Sequence, residues 1–278
     1  MALIAFAANS VLCRLALDVY RMDAGSFTTL RLLSGAIVLW IMVRIQHTTQ
    51  NHQPRFNLTK NWFSASVLFI YAAAFSFAYI TLDTATGALI LFGSVQITMI
   101  AYAIYKGSRP NMAEWAGLGI AFIGFTYLIY PDLSSPSAMG FLLMSIAGIA
   151  WGFYSIQGKH SKNPLFDTAQ NFIKTLPFII ILALITLPQA QFSLQGILLA
   201  LLSGGIASGM GYAVWYLALT GLANSQAAVV QLAVPVIAAI GGVLFVSEEM
   251  TLRLIISTVM VLSGILIVIL TRYFIQQK

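Results

Sequence analysis

Ten runs of apolar residues, each parted from the next by a polar break, organise the chain: 1–17, 24–43, 62–81, 84–105, 113–130, 139–158, 166–187, 194–219, 222–246 and 253–273. Most approach the ~20 residues that a helix needs to cross the hydrocarbon core of a bilayer. All are far longer than an ordinary strand, and in lipid each backbone N–H and C=O must find a partner inside its own segment. The pattern predicts ten transmembrane helices. Of the breaks, only "RIQHTTQNHQPRFNLTKN" is long, and none leaves room for a soluble domain. The first run has neither a basic leader region nor a small-residue cleavage site, so it is expected to be a helix rather than a cleaved signal.

Composition strengthens this reading. Hydrophobic residues make up 59% of the 278 positions and charged residues 8%, against about 25% charged in a soluble domain. Mean hydropathy is +0.89. The net charge of +6 does not gather on a face. The basic residues sit in the breaks, as they do beside a membrane, and nucleic acid is not an expected partner. With the N-terminus inside, Arg44, Arg55, Lys60, Lys106, Arg109, Lys159, Lys162, Arg272 and Lys278 are cytoplasmic, and only Arg14, Arg21 and Arg253 lie outside. That bias predicts an inner (plasma) membrane protein with both termini cytoplasmic. The single cysteine, Cys13, excludes an intrachain disulfide.

The chain also matches itself. A shift of 140 residues lays 82–130 on 222–270 without a gap, each a helix, a six-residue polar turn and a second helix, with Gly124 on Gly264. Upstream, "DAGSFTTLR" (23–31) resembles "DTAQNFIK" (167–174), an acid at the helix start and a cation two turns in, so that Arg31 answers to Lys174. Five spans per half is an odd number, so the halves must be inverted, an arrangement that places a transport site at their interface. The expected fold is all-α: residues 1–130 as one five-helix repeat and 139–273 as its inverted partner, around a central cavity. A monomer is compatible with that architecture.

"DAGSFTTLRLLSGAIVL", "FAYITLDTATGALILF" and the long stretch "YLALTGLANSQAAVVQLAVPVIAAIGGVLFVSEEMTLRLIISTVMVLSGILIVIL" resemble the EamA-type drug/metabolite transporters over essentially the whole chain. The resemblance implies a ten-helix basket with its fifth and tenth helices at the periphery. It also implies export of amino acids or other small metabolites, with nucleotide-sugar carriers among the relatives.

Polar groups inside the spans are the candidate substrate contacts, because an ionisable residue in lipid is costly. Arg31 and Lys174 each lie about 12 Å in from their helix starts at 1.5 Å per residue, and could flank the cavity and draw a carboxylate. Pairing with Asp23 and Asp167 is the structural alternative. Asn9 lies in the first span. Among the aromatics, Tyr79, Trp151, Tyr154 and Trp215 are the candidates. Interfacial belts account poorly for the two tryptophans, which fall towards mid-helix, Trp151 within Gly148-xxx-Gly152. Gln96, Gln157, Gln226 and Gln231 lie in or near spans; Gln96 and Gln231 are taken as candidates, the latter one turn before Pro235, where proline frees a carbonyl. "SGGIASGMGY" reads as small-residue helix packing.

No Asp or Glu lies deep in a proposed span, which points to facilitated export or exchange. His47, His52 and His160 all fall in breaks, and there is no zinc-protease pair, metal cluster or phosphate loop, so no enzyme activity or cofactor is expected. The expected function is export of small amphipathic metabolites, aromatic or neutral amino acids first, by alternating access across the bilayer. A multidrug-type efflux carrier for cations, or a nucleotide-sugar-like transporter, is the alternative.

Overall fold

The computed structural model describes residues 1–48, 62–107, 111–129, 136–158, 161–221 and 230–276. Arg55, Lys60, Arg109, Tyr130, Asp132, Lys159, Gln226, Lys278, the side chain of Arg272 and the beginning of the ninth run lie outside the described residues. All regular structure within them is helical. The helices are α1 (Ala2–Arg14), α2 (Ala24–Thr48), α3 (Trp62–Ala78), α4 (Thr84–Tyr105), α5 (Met112–Ile129), α6 (Ala138–Gly158), α7 (Pro164–Lys174), α8 (Leu176–Thr186), α9 (Leu194–Leu202), α10 (Gly211–Gly221), α11 (Ala233–Gly241) and α12 (Leu252–Gln276). Among the described residues, seven stretches are long and apolar enough to cross a membrane, and three shorter apolar helices join them: Trp62–Ala78, Met112–Leu128 and Ala233–Val246.

The seventh run is not one helix. It breaks at Thr175, between α7 and α8. Pro177 has no N–H to give the carbonyl of Ile173, and the Thr175 hydroxyl turns back to the carbonyl of Phe172 at 2.7 Å. Three segments widen from α to π geometry: Leu15–Val19 after α1, Ser203–Met210 between α9 and α10, and Gly242–Val246 after α11. Such wide turns redirect side chains and often occur at functional sites.

Small residues set the packing. A Cβ on Gly148 would stand 2.6 Å from the carbonyl oxygen of Leu91, and one on Gly152 3.0 Å from Thr98, so this pair seats α6 on α4. A Cβ on Gly117 would stand 2.5 Å from the carbonyl oxygen of Gly264, which lets α5 lie along α12. Without a hydrophobic drive between helices in lipid, close approach of this kind is what holds them together. The outer surface stays apolar: Ile37, Trp40, Phe122, Ile180, Leu184, Leu244 and Leu252 are all exposed.

Candidate functional site

Arg31 is the centre of the described bundle's polar chemistry. It sits two turns into α2, 1% exposed. Its Nε donates to Ser208 Oγ at 3.0 Å, and its Nη2 donates to Tyr71 Oη at 2.9 Å and to Tyr212 Oη at 3.1 Å. The guanidinium lies over the rings of Phe75 and Tyr71, 4.7 and 5.2 Å from their centroids. No carboxylate among the described residues lies within ion-pair distance of it. Nη1 has no partner among them.

Three helices besides α2, and one widened segment, build this knot. Tyr71 comes from α3, Tyr212 from α10 and Asn9 from α1. Ser203 and Ser208 come from the π segment that packs against α2. Asn9, also 1% exposed, accepts from Ser203 Oγ at 2.7 Å and from Ser208 Oγ at 3.2 Å. The segment approaches α2 so closely that a Cβ on Gly204 would collide with the carbonyl oxygen of Arg31 and with Ser34 Oγ. Only glycine allows that approach. "SGGIAS" therefore does more than pack: its glycine admits the backbone and its serines bond Asn9 and Arg31.

An aromatic cage closes round the knot. Trp151 lies 4.9 Å from Tyr71 and 4.6 Å from Tyr212, centroid to centroid, and Phe6 lies 5.6 Å from both Trp151 and Trp215. Tyr154 stands 5.4 Å from Trp151 and stacks on Tyr216 at 5.7 Å. Of the candidates from the sequence, the structure thus brings Asn9, Arg31, Trp151, Tyr154 and Trp215 into one centre. Tyr71, Tyr212, Ser203, Ser208 and Phe6 complete it and were not among the candidates. The signal for them was a hydroxyl or ring on an apolar run, with nothing in the run to say which way it faced.

The remaining candidates lie elsewhere. Tyr79 stands in the turn after α3, its hydroxyl donating to the carbonyl of Thr84 at 3.3 Å. Gln96 is buried on α4 and Gln231 is buried just before α11. Lys174 is buried at the C-terminal end of α7, where a cation suits the helix dipole. Asp23 is occupied in capping α2, accepting from the N–H of Ser26 at 2.8 Å and of Gln191 at 2.9 Å, so it does not pair with Arg31.

A second charged cluster ties one end of the bundle. Arg14, 13% exposed at its side chain, bonds Glu248 at 3.3 Å, Asp83 at 3.4 Å and Asp18 at 3.7 Å. It also donates to the carbonyl of Tyr79 at 3.1 Å. Glu248, 10% exposed at its side chain, accepts at 2.9 Å from the backbone N–H and from the hydroxyl of Thr84, capping α4. Burial pushes the Glu248 carboxyl up from its ordinary value; the two Thr84 bonds and Arg14 pull it down, Asp83 adds to the rise, and burial prevails. Glu248 lies in the polar break "SEEMTL" of the sequence; the fold buries it and makes it a strut between the α11–α12 connection, α4 and α1.

A helical bundle, apolar outside and holding a charged, aromatic centre inside, is the build of a multi-pass membrane protein. The chain belongs to the EamA-like transporter family, which residues 138–270 match. An uncharacterized protein of Pseudomonas aeruginosa is 43% identical over 98% of this chain and 93% of its own length. YoaV, an uncharacterized transporter of Bacillus subtilis, is 22% identical over 86% of this chain and 85% of its own. One solved crystal structure shares the fold, with a TM-score of 0.65 over 99% of this chain and 98% of that one, at 17% identity. A lipid bilayer and a small-molecule substrate are the partners this family implies.

Proposed function

We propose that the protein exports small amphipathic metabolites that carry a carboxylate, by alternating access across the inner membrane. The observation that carries this reading is Arg31: a buried cation with no carboxylate partner among the described residues, set in a cage of aromatic rings. A charge in a low-dielectric interior is tolerated when it is paired, and a substrate carboxylate provides the pair. Aromatic and neutral amino acids are the first class to test. Cationic drugs fit poorly, because they would bring a second positive charge to the same place.

The architecture of this reading is ten spans in two inverted repeats, 1–130 and 139–273, with both termini cytoplasmic. Contacts follow the 140-residue shift. It takes Ala121 to Val261 and Gly124 to Gly264. A Cβ on Gly264 would stand 2.7 Å from the N of Ala121, and one on Gly124 3.1 Å from the N of Val261. Likewise α6 packs on α3 and α4, while α1 packs on α10 and α11. Both pairs of contacts support a two-fold relation between the halves. In this orientation the Arg14–Glu248 cluster ties the outer end, and release of substrate outward requires those bonds to part.

Proteoliposome counterflow tests the function. Preloaded unlabelled aryl carboxylate or amino acid should drive accumulation of its labelled form, and cationic dyes and nucleotide sugars should not. Accumulation of dyes alone would contradict the reading, as would flux with no trans-stimulation, which marks a pore.

A further inference from the structure

Resting on the transport reading above, we infer that the species held at Arg31 is a small amphipathic monoanion, a carboxylate without a free ammonium group, rather than a zwitterionic amino acid.

The first argument is a proton inventory. Every acceptor that touches Arg31 is already in use. Ser208 Oγ accepts from Arg31 and donates to Asn9; Asn9 Oδ1 accepts from two serines. The two tyrosine oxygens accept from Arg31, and Tyr212 also donates to Tyr71. Tyr71 therefore keeps its own proton to give. Beyond it, Arg31 Nη1, Asn9 Nδ2, Trp151 Nε1 and Trp215 Nε1 are buried donors with no acceptor among the described residues. A guanidinium N and an indole N can only donate. The centre thus offers a surplus of N–H and O–H groups, and an unmet buried donor costs about 1–3 kcal/mol. An anion with two acceptor oxygens, and no protons of its own to place, satisfies the most of them.

The second argument is charge. The rings of Phe75 and Tyr71 attract the guanidinium but carry no net charge, so the groups of the centre sum to +1. A zwitterion adds zero and leaves +1 in the interior, while bringing an ammonium that needs its own acceptors. A monoanion brings the centre to neutrality. The buried oxygens left over include Tyr154 Oη, Ser10 Oγ and Gln231 Oε1, all neutral. They offer an ammonium hydrogen bonds but no counter-charge. The carboxylates of Asp18, Asp83 and Glu248 are all committed to Arg14.

Three probes with one ring system and three charges test this on the purified full-length protein in detergent: indole-3-propionate (−1), tryptophan (0) and tryptamine (+1). We expect indole-3-propionate to bind on the order of tenfold or more tighter than tryptophan, as for a charge-assisted bond gained without an offsetting cost, and tryptamine not to saturate. Arg31→Gln should abolish the preference for the anion, indole-3-propionate then binding no tighter than neutral indole-3-propionamide. Arg31→Lys, which keeps the charge, should weaken the anion and preserve its rank. Tryptophan binding as tightly as indole-3-propionate overturns the inference, as does a preference that survives Arg31→Gln, or no binding by any probe. Counterflow separates the two readings. Amino-acid counterflow without anion preference leaves the transport reading and sinks this one; Arg31-dependent anion binding without counterflow does the reverse.

Discussion

Two arginines on adjacent helices, Arg14 and Arg31, have opposite settings. Arg14 ends α1, keeps some contact with solvent, and has three carboxylates within ion-pair distance. Arg31 is closed off from solvent and has hydroxyls and rings about it, with no carboxylate among the described residues. The first is a finished structural interaction: its charge is matched within the chain, and it joins α1, α4 and the connection before α12. The second is unfinished: hydroxyls and ring faces attract the guanidinium, but no carboxylate among the described residues balances its charge. A charge satisfied by its own chain holds the fold together; a charge without a counter-charge at the centre is where we propose the substrate carboxylate binds.

The largest effect that could break this contrast is at Arg31. Arg31→Met should cut carboxylate transport by about 100-fold, the equivalent of losing one or two charge-assisted bonds at about 1.5–3 kcal/mol each. The same variant should match or exceed the parent in thermal stability, because it removes an unpaired buried charge. Loss of both transport and stability would place Arg31 with Arg14 as a structural residue. Next is Gly204→Ala, whose Cβ meets the backbone of α2. It should destabilise the protein by about 1–3 kcal/mol, as overpacking does, read as a lower detergent melting point. Gly205→Ala, whose Cβ meets only the tip of Val38 at 3.0 Å, should cost much less. Ser208→Ala removes one bond to Arg31 and one to Asn9. It should weaken carboxylate binding by about tenfold, at about 1.4 kcal/mol, and lower the melting point modestly, because Arg31 Nε loses its acceptor.

The smallest effect is at Glu248. Its carboxyl is raised by burial, so the charged form is disfavoured in the folded state. For a group raised in this way, stability is full below its unfolded value and is lost as pH climbs through the folded one. Glu248→Gln should therefore be neutral or slightly stabilising at pH 7.5, and its advantage should vanish as pH falls below the carboxylate range. Melting curves of parent and variant from pH 4 to 8 read this directly; a variant that loses stability at pH 7.5 would show that the Arg14 bond outweighs the burial cost.

The sequence made some of this legible. Apolar runs of spanning length mark the helices, because lipid admits little else. Pro177 carried the signal for the break that ends α7 at Lys174, and the run was nonetheless read as one helix. The widened turn at Ser203–Met210 carried none, since it depends on how closely α2 approaches. Arg31 was legible because a cation two turns into an apolar run stands out. Tyr71 and Tyr212 were not, because the facing of a tyrosine on a uniformly apolar helix is decided by neighbours distant in the chain. Glu248 was hidden for a similar reason: a loop acid looks solvated until the fold lays it against the first turn of α4.

The central claim is that Arg31 awaits its counter-charge from the substrate. Counterflow of labelled indole-3-propionate in proteoliposomes, parent against Arg31→Gln at equal reconstituted amounts, tests it most directly. The account predicts trans-stimulated accumulation by the parent and background accumulation by the variant. Equal accumulation by a correctly folded variant would contradict it.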